Sequence, residues 1–293
     1  MGNTIEGRSE KIFKWVNIVL LVVIGFSALY PLVYILSASV SLPSAVETGE
    51  VVLLPKGFNL ESYKEALKTP NLWVAYGNTL YYTVVGTIVN MAFTTLGAYV
   101  LSRKNMPFLK AITLFVLVTM WLKPGIIPMY LNFRDLGLIN SRWSIVLGFA
   151  ISTFNLIILR TFFSSIPESL DEAARIDGAN HFTIFRKIYL PLSKSALATI
   201  TMFYAVSRWN GYFWSMVLLQ DDSKIPLQVL LKKLIVEQST GGEEAVLITP
   251  DALSSPQTII FAIIMISIIP MLIAYPYIQR FFKEGVMIGS VKG

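Results

Sequence analysis

Two cations stand where a charge is expensive. Lys123 and Arg208 fall inside apolar segments long enough to cross a membrane, 111–131 and 195–218. Charged side chains at such depth are rare and usually functional. Around Arg208 gather Tyr204, Trp209, Asn210, Tyr212, Phe213 and Trp214. Aromatic faces pack against sugar rings, and Asn or Arg can bond hydroxyls or carboxylates. The chemistry such a cluster suits is recognition of a polar or anionic ligand in a water-filled cavity. Plainer readings stand beside it. Both cations could snorkel to the outer surface or pair with a loop acid or a partner subunit, and the aromatics could form an interfacial belt. A lipid-facing belt does not require Asn210-Gly211 after Trp209, so a cavity-lining face is favoured. The candidate pathway residues are Lys123, Asn155, Tyr204, Arg208, Trp209, Asn210, Tyr212 and Trp214. Asn78, Asn90 and Asn155 are further polar groups at span depth, suited to interhelical hydrogen bonds.

Bond-making chemistry has no comparable set. The chain has no cysteine, which excludes disulfides, thiolate metal sites and cysteine nucleophiles. Its one histidine, His181, has neither a ligand set nor a catalytic partner at useful spacing and reads as a surface residue. No G-x-x-x-x-G-K-[ST] loop occurs, so any ATP must be hydrolysed by another chain. No metal or cofactor is expected on this one.

The elements that must position these residues follow from composition. The 293 residues have a mean hydropathy of +0.62 and are only 14% charged. Soluble domains carry nearer a quarter. The reading is an all-α polytopic membrane protein, one transmembrane domain over 1–293. Six spans are expected near 12–36, 76–101, 111–131, 145–163, 195–218 and 258–278. The first is too long for the apolar part of a signal peptide and reads as an uncleaved helix. Placing both termini in the cytoplasm puts 14 basic residues inside and 8 outside, with 7 acids inside and 11 outside. That is the positive-inside pattern. The net charge of +6 is dispersed at the ends of apolar segments, which argues against nucleic acid.

On this topology Arg208 lies about 21 Å along a helix from Lys194, and Lys123 about 20 Å from Lys110. Both would sit in the outer half of the membrane, and no acidic residue lies inside any expected span. Two outer loops, 40–72 and 219–257, are long. They contain amphipathic helix candidates at Leu60–Lys68 and Leu227–Glu237, and the second loop passes through Gly241-Gly242.

The cytoplasmic segment 167–192, between the fourth and fifth spans, reads as helix, turn, helix. Pro167 suits a first turn, and Glu168, Asp171 and Glu172 suit the helix dipole there. Gly178 allows positive φ, and a second helix from His181 to Tyr189 is expected to stop at Pro191. A solvated loop is the plain alternative. Against it, Ala173 and Ala174 suit close docking, and Phe182, Ile184, Phe185 and Ile188 supply an apolar face. The charges read as contacts to another protein.

Glu172-Ala173-Ala174, Gly178 and Ile188-x-Leu190-Pro191 resemble the EAA---G---------I-LP signature of ABC importer permeases, every position at the right spacing. The resemblance extends over nearly the whole chain, including Arg160–Ala179 and the tail Gln279–Gly293, which is similar to the maltose-permease branch of carbohydrate importers. Lys123–Trp143 resembles permeases for large or acidic saccharides, including alginate importers. The resemblance implies a bacterial inner-membrane permease that works by alternating access. The hairpin would be the coupling helix seated in a cytoplasmic ATPase, with Glu172 pairing a basic residue there. Its implied partners are a second, homologous permease subunit, two ATPase subunits carrying ATP and Mg, an extracellular solute-binding protein and a saccharide. The tail of this branch reaches toward the ATPase interface, and Met287-Ile288-Gly289 departs from the usual small residues there. An ion-coupled secondary transporter is the alternative; it would want intramembrane carboxylates, and none is found.

Overall fold

The computed structural model describes residues 8–239 and 253–290, the stretch 277–290 by its backbone course only. Every regular element among the described residues is helical. In order they are α1 (Arg8–Ser39), α2 (Pro43–Glu47), α3 (Glu61–Lys68), α4 (Leu72–Ser102), α5 (Leu109–Trp121), α6 (Ile126–Asp135), α7 (Arg142–Leu147), α8 (Thr153–Ser164) and α9 (Glu168–Ile176). Then come α10 (His181–Ile184), a π-turn (Phe185–Tyr189), α11 (Leu190–Leu192), α12 (Lys194–Trp209), α13 (Phe213–Leu218), α14 (Leu227–Ser239) and α15 (Pro256–Ser290). The chain divides into two compact units, Met1–Thr69 with Lys233–Ile268 and Pro70–Lys232 with Ile269–Gly293.

In the first unit, α1 is apolar around its circumference and exposed along most of its length, as with Phe13, Leu21 and Phe26. Such a helix suits lipid or another chain rather than water. Its end is pinned by hydroxyls. Ser37 Oγ donates to Leu53 O at 2.6 Å, and Ser39 Oγ meets the Tyr63 hydroxyl at 2.9 Å. Asn59 N–H donates to Val40 O at 2.8 Å, so the loop between α2 and α3 folds back on the end of α1. Ser62 and Thr258 share a buried hydrogen bond of 2.8 Å.

In the second unit, α4 is the central pole, packed against α8 and α12. Gly86, Asn90 and Thr94 recur every fourth residue and so lie on one face of it. Small and hydrogen-bonding residues on such a face allow close approach and cross-bonding. Asn78 shows the pattern at the other end of α4: it donates to Ser223 O and Ile225 O at 2.9 and 3.0 Å and accepts from Arg142 at 2.9 Å.

Among the described residues three helices are long and apolar enough to cross a membrane: Ser9–Ser39, Leu72–Ser102 and Pro256–Pro276. The expected continuous helices at 111–131, 145–163 and 195–218 are each broken. α5 and α6 meet at a bend of 116°. Lys123 precedes Pro124, whose ring disfavours helix in the residue before it, and Gly125 follows. The second break separates α7 from α8 over 148–152, where Ser152 caps α8. The third, at Asn210-Gly211-Tyr212, separates α12 from α13. α3 and α14 form within a residue or two of their expected bounds. Gly241-Gly242 and the last three residues of the tail lie outside the described residues, as do the side chains of Met287-Ile288-Gly289.

Candidate functional site

Two places carry the candidate residues. The first is a cleft of about 690 Å³ at the breaks between α7 and α8 and between α12 and α13. Phe149, Phe154, Phe203, Tyr212, Phe213 and Trp214 supply aromatic walls, and Ser152, Asn155, Ser207 and Asn210 supply neutral polar groups. Phe149, Phe213 and Trp214 form a ring cluster with centroids 5.4–5.8 Å apart along its edges.

Breaking a helix orphans its last carbonyls. At the end of α7 two side chains meet them. Arg208 donates through Nη1 to Ile145 O, and through Nη2 to Val146 O at 3.1 Å and Phe149 O at 2.8 Å. Its Nε donates to Asn90 Oδ1 at 2.9 Å. Asn90 Nδ2 then donates to Phe149 O at 2.7 Å and Ala150 O at 2.8 Å. One turn earlier on α12, the Tyr204 hydroxyl accepts from Ser152 N–H at 2.9 Å and shares a 2.6 Å bond with Thr94. Gly86 leaves the room: a Cβ there would stand 2.9 Å from Arg208 Nε. The expectation that Arg208 lacks an intrachain partner is therefore corrected. Its partners are the Asn90 amide oxygen and backbone carbonyls, which a search of the sequence for acids cannot reveal.

The second place is the hairpin. α9 ends in a Schellman motif: Gly178 N–H donates to Arg175 O at 3.0 Å and Ala179 N–H to Ala174 O at 2.9 Å. The motif needs a left-handed residue, and Gly178 has φ +79°. Asn180 opens α10 at once by accepting from Thr183 N–H at 2.8 Å. Helix continues through Pro191 to Leu192, past the expected stop. The π-turn explains this: Leu190 N–H bonds Phe185 O five residues back, so the ladder is already widened where proline removes a donor.

The hairpin is latched to the end of α4. Arg103 forms an ion pair with the buried Asp171, which Arg175 also approaches at 3.3 Å. The guanidinium lies 4.2 Å from the Tyr99 ring centroid and 4.7 Å from that of Tyr189. It also donates to both hydroxyls. Burial works against the charged form of Arg103, but the hydrogen bonds it donates to Asp171 and Tyr99 outweigh that and hold the group above its ordinary value. Burial pushes the Tyr189 hydroxyl up. Tyr99 OH donates to His181 O at 2.9 Å, and Lys104 pairs Glu168 at 2.7 Å on the surface.

The structure sorts the expected residues. Asn155, Tyr204, Arg208, Asn210, Tyr212 and Trp214 line the cleft. Trp209 is buried against Tyr76 instead, centroids 6.0 Å apart, and Lys123 is exposed in the break after α5. In the hairpin Glu172, Ala173 and Pro191 are exposed, and Ala174, Ile188 and Leu190 pack against the protein's own core. Ile184 and Phe185 are buried there too, leaving Phe182 and Ile176 as the exposed apolar tip. Asp171 and Arg175, read as contacts to another protein, pair within the chain. Tyr99, Arg103, Gly86 and Thr94 were not singled out from sequence. Arg103 follows an apolar helix, where a cation is expected for topological reasons alone.

Residues 7–286 match the family of binding-protein-dependent transport system inner membrane components. The chain belongs to this family. It is 40% identical over 265 residues to the polygalacturonan/rhamnogalacturonan transport system permease YtcP of Bacillus subtilis, covering 90% of this chain and 92% of that protein. To Protein LplC of the same organism it is 36% identical over 296 residues, covering 100% and 98%. Among solved structures it resembles a chain of a bacterial ABC transporter involved in import of the acidic polysaccharide alginate. That likeness has a TM-score of 0.89 at 46% identity, covering 96% of this chain and 100% of that one. The chain is thus an inner-membrane transport component of the carbohydrate ABC permease type, and not an enzyme.

Proposed function

We propose that this chain is one of two permease subunits of an ATP-driven importer in a bacterial cytoplasmic membrane. It moves an oligosaccharide, of the acidic kind that includes alginate and pectic fragments, by alternating access. The observation that carries the reading is the hairpin. It is bound to α4 by a buried ion pair and stacked tyrosines, yet presents Glu172, Ala173, Ile176 and Phe182 outward. A rigid element with an exposed, partly apolar tip suits insertion into another protein. In this reading the partner is one of two ATPase subunits holding ATP and Mg, and Glu172 meets a basic residue there.

Six crossings are assigned to α1, α4, α5 with α6, α7 with α8, α12 with α13, and α15, with both termini cytoplasmic. A solute-binding protein delivers the saccharide on the outer side. The cleft beside the α7–α8 and α12–α13 breaks is this chain's share of the pathway. Irregular backbone at membrane depth is tolerated where it lines a cavity, and substrate sites favour broken helices. Asn155, Asn210 and Tyr212 bond sugar hydroxyls there, and Trp214 and its neighbours pack on ring faces.

The test is reconstitution of the two permeases with the ATPases in liposomes, supplied with the binding protein. Uptake of uronate oligosaccharides that requires ATP and survives collapse of ion gradients is expected. Uptake that follows an ion gradient without ATP would contradict the proposal.

A further inference from the structure

We infer that Arg208 is a positioning residue that holds the pathway's broken helix in shape, and that this chain's cleft reads hydroxyls and ring faces rather than charge. The inference rests on the proposed assignment of that cleft as the pathway. A guanidinium has five N–H donors in a fixed fork. Four are engaged, by Asn90 Oδ1 and the carbonyls of Ile145, Val146 and Phe149. One donor remains, too few for the paired bonds with which arginine grips a carboxylate. Among the described residues Arg208 is the one charged side chain lining the cleft, so no other described cation takes that role there. The carboxylates of an acidic substrate are then met outside this cleft.

The physical reason for a half-buried arginine at this depth is the backbone. Where water is absent, each orphaned carbonyl must find a donor, at a cost of several kcal/mol if it does not. Arg208 and Asn90 together cover the carbonyls of residues 145, 146, 149 and 150. Tyr204 receives the Ser152 N–H on the other side of the break. Lysine cannot replace the fork, because its donors radiate from one nitrogen.

The absence of cysteine permits a clean readout. Ile151 lines the cleft within the break and is half exposed, so Ile151→Cys reports the break through its rate of reaction with a water-soluble maleimide. Assembled transporter carrying Ile151→Cys is compared with the same protein bearing Arg208→Lys, Arg208→Gln or Asn90→Ala. The labelling rate is expected to shift at least about fivefold in the same direction in all three, the scale of one buried hydrogen bond lost. Maximal uptake of uronate and neutral oligosaccharides should fall by one common factor, with the binding-protein concentration for half-maximal uptake unchanged. The inference is overturned if Arg208→Lys preserves labelling and uptake, or if only uronate uptake falls while Arg208→Lys rescues it. Asn155→Ala and Tyr212→Ala separate the two ideas. If neither reduces uptake while the labelling shifts persist, the pathway assignment fails, and the role of Arg208 in transport fails with it.

Discussion

Two arginines, Arg103 and Arg208, are each drawn into the protein and neutralised by opposite means. Arg103, at the end of α4, meets a carboxylate and lies between two tyrosine rings. Among the described residues Arg208 meets no acid and spends most of its donors on backbone carbonyls. The difference follows from what each must hold. The hairpin is a separate piece of chain that must follow α4, and an ion pair joins two elements through side chains. The α7–α8 break is a defect in one helix, and its orphaned groups are backbone. A carboxylate at that depth would carry its own desolvation penalty, and carbonyl dipoles avoid it.

Breaking the hairpin itself should have the largest effect. Gly178→Pro removes the N–H that bonds Arg175 O and cannot adopt φ +79°. Uptake should fall at least about a hundredfold while the ATPases still turn over, since a misplaced coupling element forfeits several kcal/mol of productive docking. Next, Arg103→Ala leaves the buried Asp171 with only the more exposed Arg175 at 3.3 Å and should destabilise the protein by up to about 3–5 kcal/mol in thermal or denaturant unfolding. Adding Asp171→Ala should recover part of that loss. Arg208 differs here: no second deletion should restore Arg208→Ala, because most groups it leaves behind are backbone carbonyls and Asn90, the one side chain among its partners, itself donates to two carbonyls of the break. Recovery in an Arg208→Ala, Asn90→Ala double variant would erase the contrast. A smaller effect is expected of Tyr99→Phe, which loses one hydroxyl bridging Arg103 and His181 O, at about 1 kcal/mol. Smallest is Lys104→Ala. Its exposed pair with Glu168 should matter by less than about 1 kcal/mol.

The hairpin was legible in the sequence because its constraints fall on residue types. A left-handed C′ position demands Gly178, and the small Ala174 packs against the protein's own core. The signature spacing therefore carries its geometry with it. The cleft was legible only as a cluster of aromatic and polar residues. Asn155, Asn210, Tyr212 and Trp214 line it, while Trp209, one residue from Arg208, turns inward against Tyr76. The breaks were hidden in apolar runs long enough to read as single spans, although Pro124-Gly125, Gly148 and Asn210-Gly211 weaken helix where they fall. The partners of Arg208 were hidden more deeply, since an unpaired carbonyl has no letter in the sequence. Likewise, the Arg103–Asp171 pair joins positions far apart in the chain, and each charge alone had a sufficient topological reason.

The most direct test of the account is ATP-coupled uptake by the purified two-permease, two-ATPase assembly in liposomes, with the binding protein loaded with a uronate oligosaccharide. The account predicts uptake that needs ATP and the binding protein and is lost in Gly178→Pro while ATP hydrolysis continues. Full uptake in that variant, or uptake in wild type without ATP, would contradict it.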